Sequence, residues 1–203
     1  MPTGHYFDAA PDAPSHPSQV ELRLPDAVLS LATDRGVFSG TRVDPGTVAL
    51  LRTEVTPAAT GHLLDLGCGY GPIACTLARR APAATVWALD VNQRALALTR
   101  TNARSLGLAN LVAVDPDGIP DDVVFDEIWS NPPIRIGKPA LHELLDRWLA
   151  RLRPGGRALL VVHRHLGGDS LAEWLSERGW LVRRQASKQG YRVLDARRPP
   201  LTE

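Results

Sequence analysis

From residue 62 onward, short apolar runs alternate with amphipathic ones, and this constrains the fold more than any other feature of the sequence. His62 to Leu66, Thr85 to Asp90, Leu111 to Asp115, Val123 to Trp129 and Arg157 to Val162 are runs of strand length. Helical segments separate them at Pro72 to about Arg80, Gln93 to Leu106 and Leu141 to Leu152. In the last of these, the leucines and Trp148 recur at i, i+3, i+4 and i+7 until Pro154-Gly155-Gly156 ends the pattern. A helix over Ser170 to Arg178 and two strands near 180–185 and 190–195 close the chain. The alternation predicts an α/β fold: a doubly wound, mostly parallel, seven-stranded Rossmann-like sheet with helices on both faces.

The residues before the alternation read differently. Residues 8 to 18 are rich in Pro, Ala, Asp and Ser and read as an extended segment. Residues 19 to 32 form short apolar pairs around Pro25-Asp26, the pattern of a small hairpin. Asp44 is placed to cap a helix that has Pro45 at its first position. We therefore expect an N-terminal extension over residues 1–44, packed on a main domain over 45–203. Trp148, Trp174 and Trp180 fall at positions suited to core packing. A chain of 203 residues can bury a full core without staples, and its two cysteines, Cys68 and Cys75, make neither a disulfide framework nor a zinc pattern. No metal site is expected. With no leader-like start and no run approaching 18 apolar residues, the chain reads as cytoplasmic, with no membrane partner.

Two strand ends carry the first chemical signal. Asp65-Leu66-Gly67-Cys68-Gly69-Tyr70-Gly71 lies where the first parallel strand turns into its helix. Glycines there permit positive φ and let a ligand approach the backbone. The G-x-G-x-G spacing is shorter than the fingerprint that cradles a dinucleotide pyrophosphate. A carboxylate directly before the loop repels a pyrophosphate and accepts from an ammonium, which favours a cationic, amino-acid-bearing cofactor. Asp90, 25 residues later, ends the second strand where an acid accepts from both ribose hydroxyls of a nucleoside. Asp115 ends the third strand and competes with Asp117 for an adenine amino group.

The third signal is Asn131-Pro132-Pro133-Ile134, directly after the fourth strand. Two prolines remove two backbone donors and stiffen the turn. Asn131 Oδ1 and the Pro132 carbonyl can each take one hydrogen of a planar NH2 group, fixing the nitrogen in line with an electrophile. No strong base is needed, because the proton becomes acidic only once the nitrogen is alkylated. A nucleophilic role for Cys68 is not expected, its small size being reason enough for its place in the loop.

The segments DLGCGYG, ALDVN and SNPPI, in that order, resemble class I S-adenosylmethionine-dependent methyltransferases. More narrowly, the chain resembles the "methyltransferase small" family, which includes ribosomal small-subunit RNA guanine-N2 methyltransferases and compact archaeal relatives. The likeness extends from His5-Tyr6-Phe7 through Gly36-Val37-Phe38-Ser39 to Gln189-Gly190-Tyr191-Arg192-Val193-Leu194, and these end motifs tie it to the compact members. The resemblance implies S-adenosylmethionine as cofactor. Its contacts would be Asp65, Gly67, Cys68, Gly69, Tyr70, Gly71, Asp90, Val91, Asn92 and Asp115, together with Asn131. It implies Asn131 and Pro132 as catalytic residues. Phe38, Pro133, Ile134, Arg135, Lys138, Tyr191 and Arg192 become candidates for the substrate, with Phe38 equally suited to the core and Arg135 and Lys138 equally suited to a solvated face. Many amino-methyltransferases carry an aromatic after NPP to stack on the target base. Here the residue is Ile134, which gives up stacking of roughly 1–3 kcal/mol.

The expected activity is methylation of guanine N2 in ribosomal RNA. Glutamine N5-methylation of protein is the rival enzyme reading, but it is normally accompanied by an aromatic after NPP and a separate helical domain. A non-catalytic cofactor-binding module for RNA is a third, against which Asn131 argues. Lys+Arg 23 against Asp+Glu 22 excludes a histone-like polycation. Yet Arg183, Arg184, Lys188, Arg192, Arg197 and Arg198 face only Asp195 in the tail, a stretch suited to RNA backbone or to plain solvation. His163-Arg164-His165 reads as structural, and the protein as a monomer or homodimer.

Overall fold

The computed structural model describes residues 13–188 and 190–200. The His5-Tyr6-Phe7 motif, residues 8–12 and Gln189 lie outside them. The hairpin forms as β1 (Ser18–Arg23) and β2 (Val28–Thr33), antiparallel, with Arg23 opposite Val28. Val20 faces Leu31 and Leu22 faces Leu29 across it. All four are buried in the same core as Leu63 and Val86 of the large sheet and Leu77 of a helix packed on it. Asn102 pins the hairpin from behind, donating to Ala32 O and accepting from Ala32 N at 2.9 and 2.7 Å. The hairpin thus shares a core with one face of the large sheet.

After α1 (Pro45–Leu51) the chain builds β3 (Thr60–Leu66), α2 (Pro72–Arg80), β4 (Ala83–Leu89), α3 (Gln93–Ser105) and β5 (Leu111–Val114). It then returns through β6 (Phe125–Ser130), α4 (Lys138–Leu149), β7 (Leu152–His163), α5 (Gly168–Glu177), β8 (Leu181–Lys188) and β9 (Tyr191–Arg197). The seven strands lie in the order β5-β4-β3-β6-β7-β9-β8. β3 to β7 are mutually parallel, and β9 runs antiparallel between β7 and β8. In β3 the pleat sends Leu63 to one core and Leu64 and Leu66 to the other, so both faces are dry. Trp148 and Trp174 are buried in the second core, and Trp180 packs against it.

β7 is longer than the sequence pattern indicates. It begins at Leu152, opposite Phe125, and includes Pro154-Gly155-Gly156, read from sequence as the helix stop. The stretch stays extended because Gly155 N donates to Arg198 O and Arg198 N donates to Gly156 O, at 3.1 and 2.8 Å. Those partners lie more than 40 residues away, beyond the reach of local propensity.

Candidate active site

β3 is the switch point of the sheet: β4 and β5 extend from one side and β6 and β7 from the other. In open α/β sheets the crevice outside the carboxyl ends of such strands is the natural binding place. Here a cleft of about 740 Å³ opens there, lined by Gly67, Gly69, Asp90, Asn131, Pro132 and Tyr191 among others.

Gly67 and Gly69 have φ of +78° and +56°, and a Cβ built on either would meet nothing within 4 Å. Bare backbone is thus presented to open space. Gly71 is glycine for a different reason: its φ is +89° and a Cβ would lie 2.9 Å from Thr99. Asp65, fully buried behind the loop and like Asp115 not itself among the cleft-lining residues, accepts from Ala74 N through Oδ2 at 2.9 Å, while Oδ1 has no partner. Burial pushes its pKa up to about 8; the Ala74 N–H opposes the shift and the nearby Asp90 charge adds to it. Asp90 accepts from Gly69 N at 2.8 Å and from Asn92 N at 2.9 Å, one bond to each oxygen. Burial raises its pKa against those backbone bonds. An orphaned buried acceptor, a side-chain-free loop and a strand-tip acid fit an amino-acid-bearing nucleoside.

The other sequence candidates divide. Val91 lines the cleft and is exposed. Asn92 also borders it, but its side chain caps α3, accepting from Arg94 N and Ala95 N and donating to Gly36 O. Cys68 is buried beside Thr99, 3.7 Å from Sγ to Oγ1, and burial lifts its thiol far above the usual range. Tyr70 is buried and its hydroxyl unpartnered, next to a small cavity shared with Asp44, Thr47 and Asn131. Asp115 leads into a single helical turn at Pro116–Gly118, and neither it nor Asp117 is among the cleft-lining residues. Lys138 opens α4, exposed and away from the cleft lining, whereas Arg135 lines it.

The tail is less free than its composition implies. Arg184 and Arg192 both pair with Asp169, and Arg197 pairs with Asp195. Arg198 donates to the carbonyls of Ala150 and Leu152.

At the end of β6, Asn131 Nδ2 donates to Asp44 Oδ2 at 2.8 Å and to Thr47 Oγ1 at 3.1 Å. Both amide hydrogens are thereby used, which settles which way round the amide lies and leaves Oδ1 as its acceptor on the cleft. Pro132 O already accepts from Ile134 N at 2.8 Å and keeps one lone pair. The Pro133 carbonyl is likewise engaged, by Ile136 N at 3.1 Å. Ile134 lines the cleft, and so does Phe38, which at 40% exposure is not a core residue.

Sequence reasoning overlooked three polar cleft residues. His163 and His165, read as structural, line the wall beside Tyr191, and the His163 ring meets Tyr191 edge-on at 5.0 Å. Their place at the carboxyl end of β7, the strand beside β6, was the available signal. Asp44 was read only as a cap, although it also lines the cleft.

The methyltransferase small domain family matches residues 28–195. The uncharacterized protein YbxB of Bacillus subtilis is 32% identical over 197 residues, 96% of this chain and 98% of its own. Ribosomal RNA small subunit methyltransferase C of Pseudomonas entomophila is 36% identical over 201 residues, covering 94% of this chain and 58% of that protein. This chain therefore spans little more than half the length of that relative. Among solved structures, the T. Thermophilus 16S rRNA N2 G1207 methyltransferase (RsmC) in complex with AdoMet and guanosine superposes with a TM-score of 0.79. That match has 27% identity and covers 93% of this chain and 52% of the other.

Proposed function

The chain belongs to the methyltransferase small-domain family and is an S-adenosylmethionine-dependent methyltransferase; from that premise we propose that it methylates an exocyclic base amine, N2 of a guanine in ribosomal RNA. The observation that carries the reading is the Asn131 amide, its NH2 side tied to Asp44 and Thr47 and its oxygen left to the cleft. Support also comes from two of the relatives, whose names give a ribosomal RNA substrate and, in the RsmC complex, AdoMet and guanosine.

When bound, S-adenosylmethionine supplies a methyl activated by its sulfonium. The residues that would hold it are Asp90 for ribose hydroxyls, Asp65 for the amino-acid ammonium, and the backbone of Gly67 and Gly69 for close approach. Asn131 Oδ1 and the free lone pair of Pro132 O each accept one hydrogen of the target NH2. Two fixed acceptors aim the nitrogen lone pair and support the positive charge that grows on it. Phe38, Ile134 and Tyr191 offer apolar and aromatic surface to the base, and Arg135 at the cleft offers a partner for phosphate. With the tail arginines largely paired, RNA contact centres on the cleft mouth and Lys138. Among the described residues no helix is long and apolar enough to cross a membrane.

Incubation with labelled S-adenosylmethionine and both total RNA and total protein tests the reading. Label in RNA supports it; label only in protein favours glutamine methylation, and none in either favours a non-catalytic module.

A further inference from the structure

We propose that Asp44 is a positioning residue for methyl transfer, locking and polarising the Asn131 amide that receives the target amine. The inference rests on the reading that Asn131 holds this amine. Asp44 and Asn131 are 87 residues apart in sequence and meet at 2.8 Å. Asp44 sits at the N-cap of α1, where Pro45 has no N–H to offer and the free donors are Gly46 N and Thr47 N. Both reach Asp44 Oδ2, at 2.7 and 3.1 Å, so the same oxygen that caps the helix receives the Asn131 Nδ2 hydrogen.

Thr47 completes the lock. It is buried at 4% exposure, and its Oγ1 takes the second Nδ2 hydrogen at 3.1 Å. A flipped Asn131 would bring Oδ1 against a carboxylate that has no hydrogen to give, so one orientation survives. Gly46 brings the helix start close to the cleft wall: a Cβ there would fall 2.7 Å from the Tyr191 ring and 2.8 Å from Asp44 Oδ2.

A hydrogen bond from an amide to a carboxylate is charge-assisted and stronger than a neutral one. In a partly desolvated site it also polarises the amide, shifting electron density toward Oδ1. That atom then accepts more strongly as the amine nitrogen acquires positive charge. The reaction itself is unchanged: the N–C bond forms, the C–S bond breaks with its electrons left on sulfur, and the amine later releases one proton to solvent. Asp44 touches none of the reacting atoms; it acts through Asn131.

The test uses Asp44→Ser, which keeps a good N-cap but has a side chain too short for the carboxylate's reach to Asn131. Thr47→Val, which leaves the cap intact, is the second variant. Turnover should fall about tenfold to a hundredfold in Asp44→Ser, with cofactor affinity unchanged and melting temperature near wild type. In an Asn131→Ala background the same substitution should cost nothing further, because the interaction it removes is already gone. Undiminished turnover, or an equal loss in both backgrounds, would overturn the proposal. Nitrogen-15 NMR of the Asn131 side chain reads the lock without any substrate. Both amide protons should be protected from exchange in the wild type, and the one bonded to Asp44 should lose its protection in Asp44→Ser. Free exchange in the wild type would overturn the proposal even if RNA is methylated. Absence of RNA methylation with protected protons would instead retain the lock and refute only the substrate reading.

Discussion

Asp90 Oδ2 accepts the Gly69 backbone N–H at 2.8 Å, so the acid at the tip of β4 also fastens the glycine loop that follows β3. The adjacent Leu89 carbonyl accepts from Gly67 N and Cys68 N, each at 2.9 Å, which extends the join. The glycine loop and the strand-tip acid are therefore joined across two parallel strands before any ligand binds. Asp90→Asn keeps the shape but replaces one acceptor oxygen with a donor that faces an N–H or a ribose hydroxyl. Losing hydrogen bonds to a charged group costs about 1.5–3 kcal/mol. Calorimetry should show S-adenosylmethionine affinity reduced by about tenfold to 150-fold, and an unchanged affinity would contradict the assignment.

Asp65 links stability to pH. Its folded-state pKa of about 8 lies above the ordinary 3.8, so the folded protein keeps a proton that the unfolded chain releases. The stability of the ligand-free protein should fall as pH rises from about 4 to about 8, then level off. Asp90, raised in the same direction, adds to the slope. Asp65→Asn should flatten much of it in thermal melts across this window. Parallel wild-type and variant curves would show that Asp65 is ionised in the folded protein.

Tyr191 is expected to serve the base and not the cofactor. It lines the cleft, packs edge-on with His163 at 5.0 Å, and stands against the start of α1 at Gly46. Base–aromatic stacking contributes about 1–3 kcal/mol per base. Tyr191→Ala should lower kcat/KM for RNA about fivefold to 150-fold and leave cofactor affinity as it was. Steady-state kinetics with calorimetry on the same variant separates the two, and a loss of cofactor affinity alone would contradict the role.

The features that the sequence made legible are those set by neighbours along the chain. Gly67, Asp90 and Asn131 each follow directly on a strand, with Gly69 two residues on, and parallel strands in a doubly wound sheet bring such ends together without further information. What was illegible depends on distant pairing. Nothing near Pro154 reveals that Arg198 will hold it in a strand, and nothing near Asp44 reveals Asn131. Asn92 follows the same local logic: it borders the cleft beside Asp90, and the helix that starts there engages its side chain. The arginines of the tail looked available because Asp169, which pairs with two of them, lies on another element.

The central claim is that Asn131 presents its amide oxygen to a guanine amine of ribosomal RNA. Its most direct measurement is mass spectrometry of nucleosides from ribosomal RNA treated with wild-type protein and S-adenosylmethionine, with Asn131→Ala alongside. We expect N2-methylguanosine from the wild type and a rate lower by roughly 10²–10³ in the variant, the scale for losing one transition-state hydrogen-bonding partner. Methylation at another atom, or a variant as fast as the wild type, would contradict it.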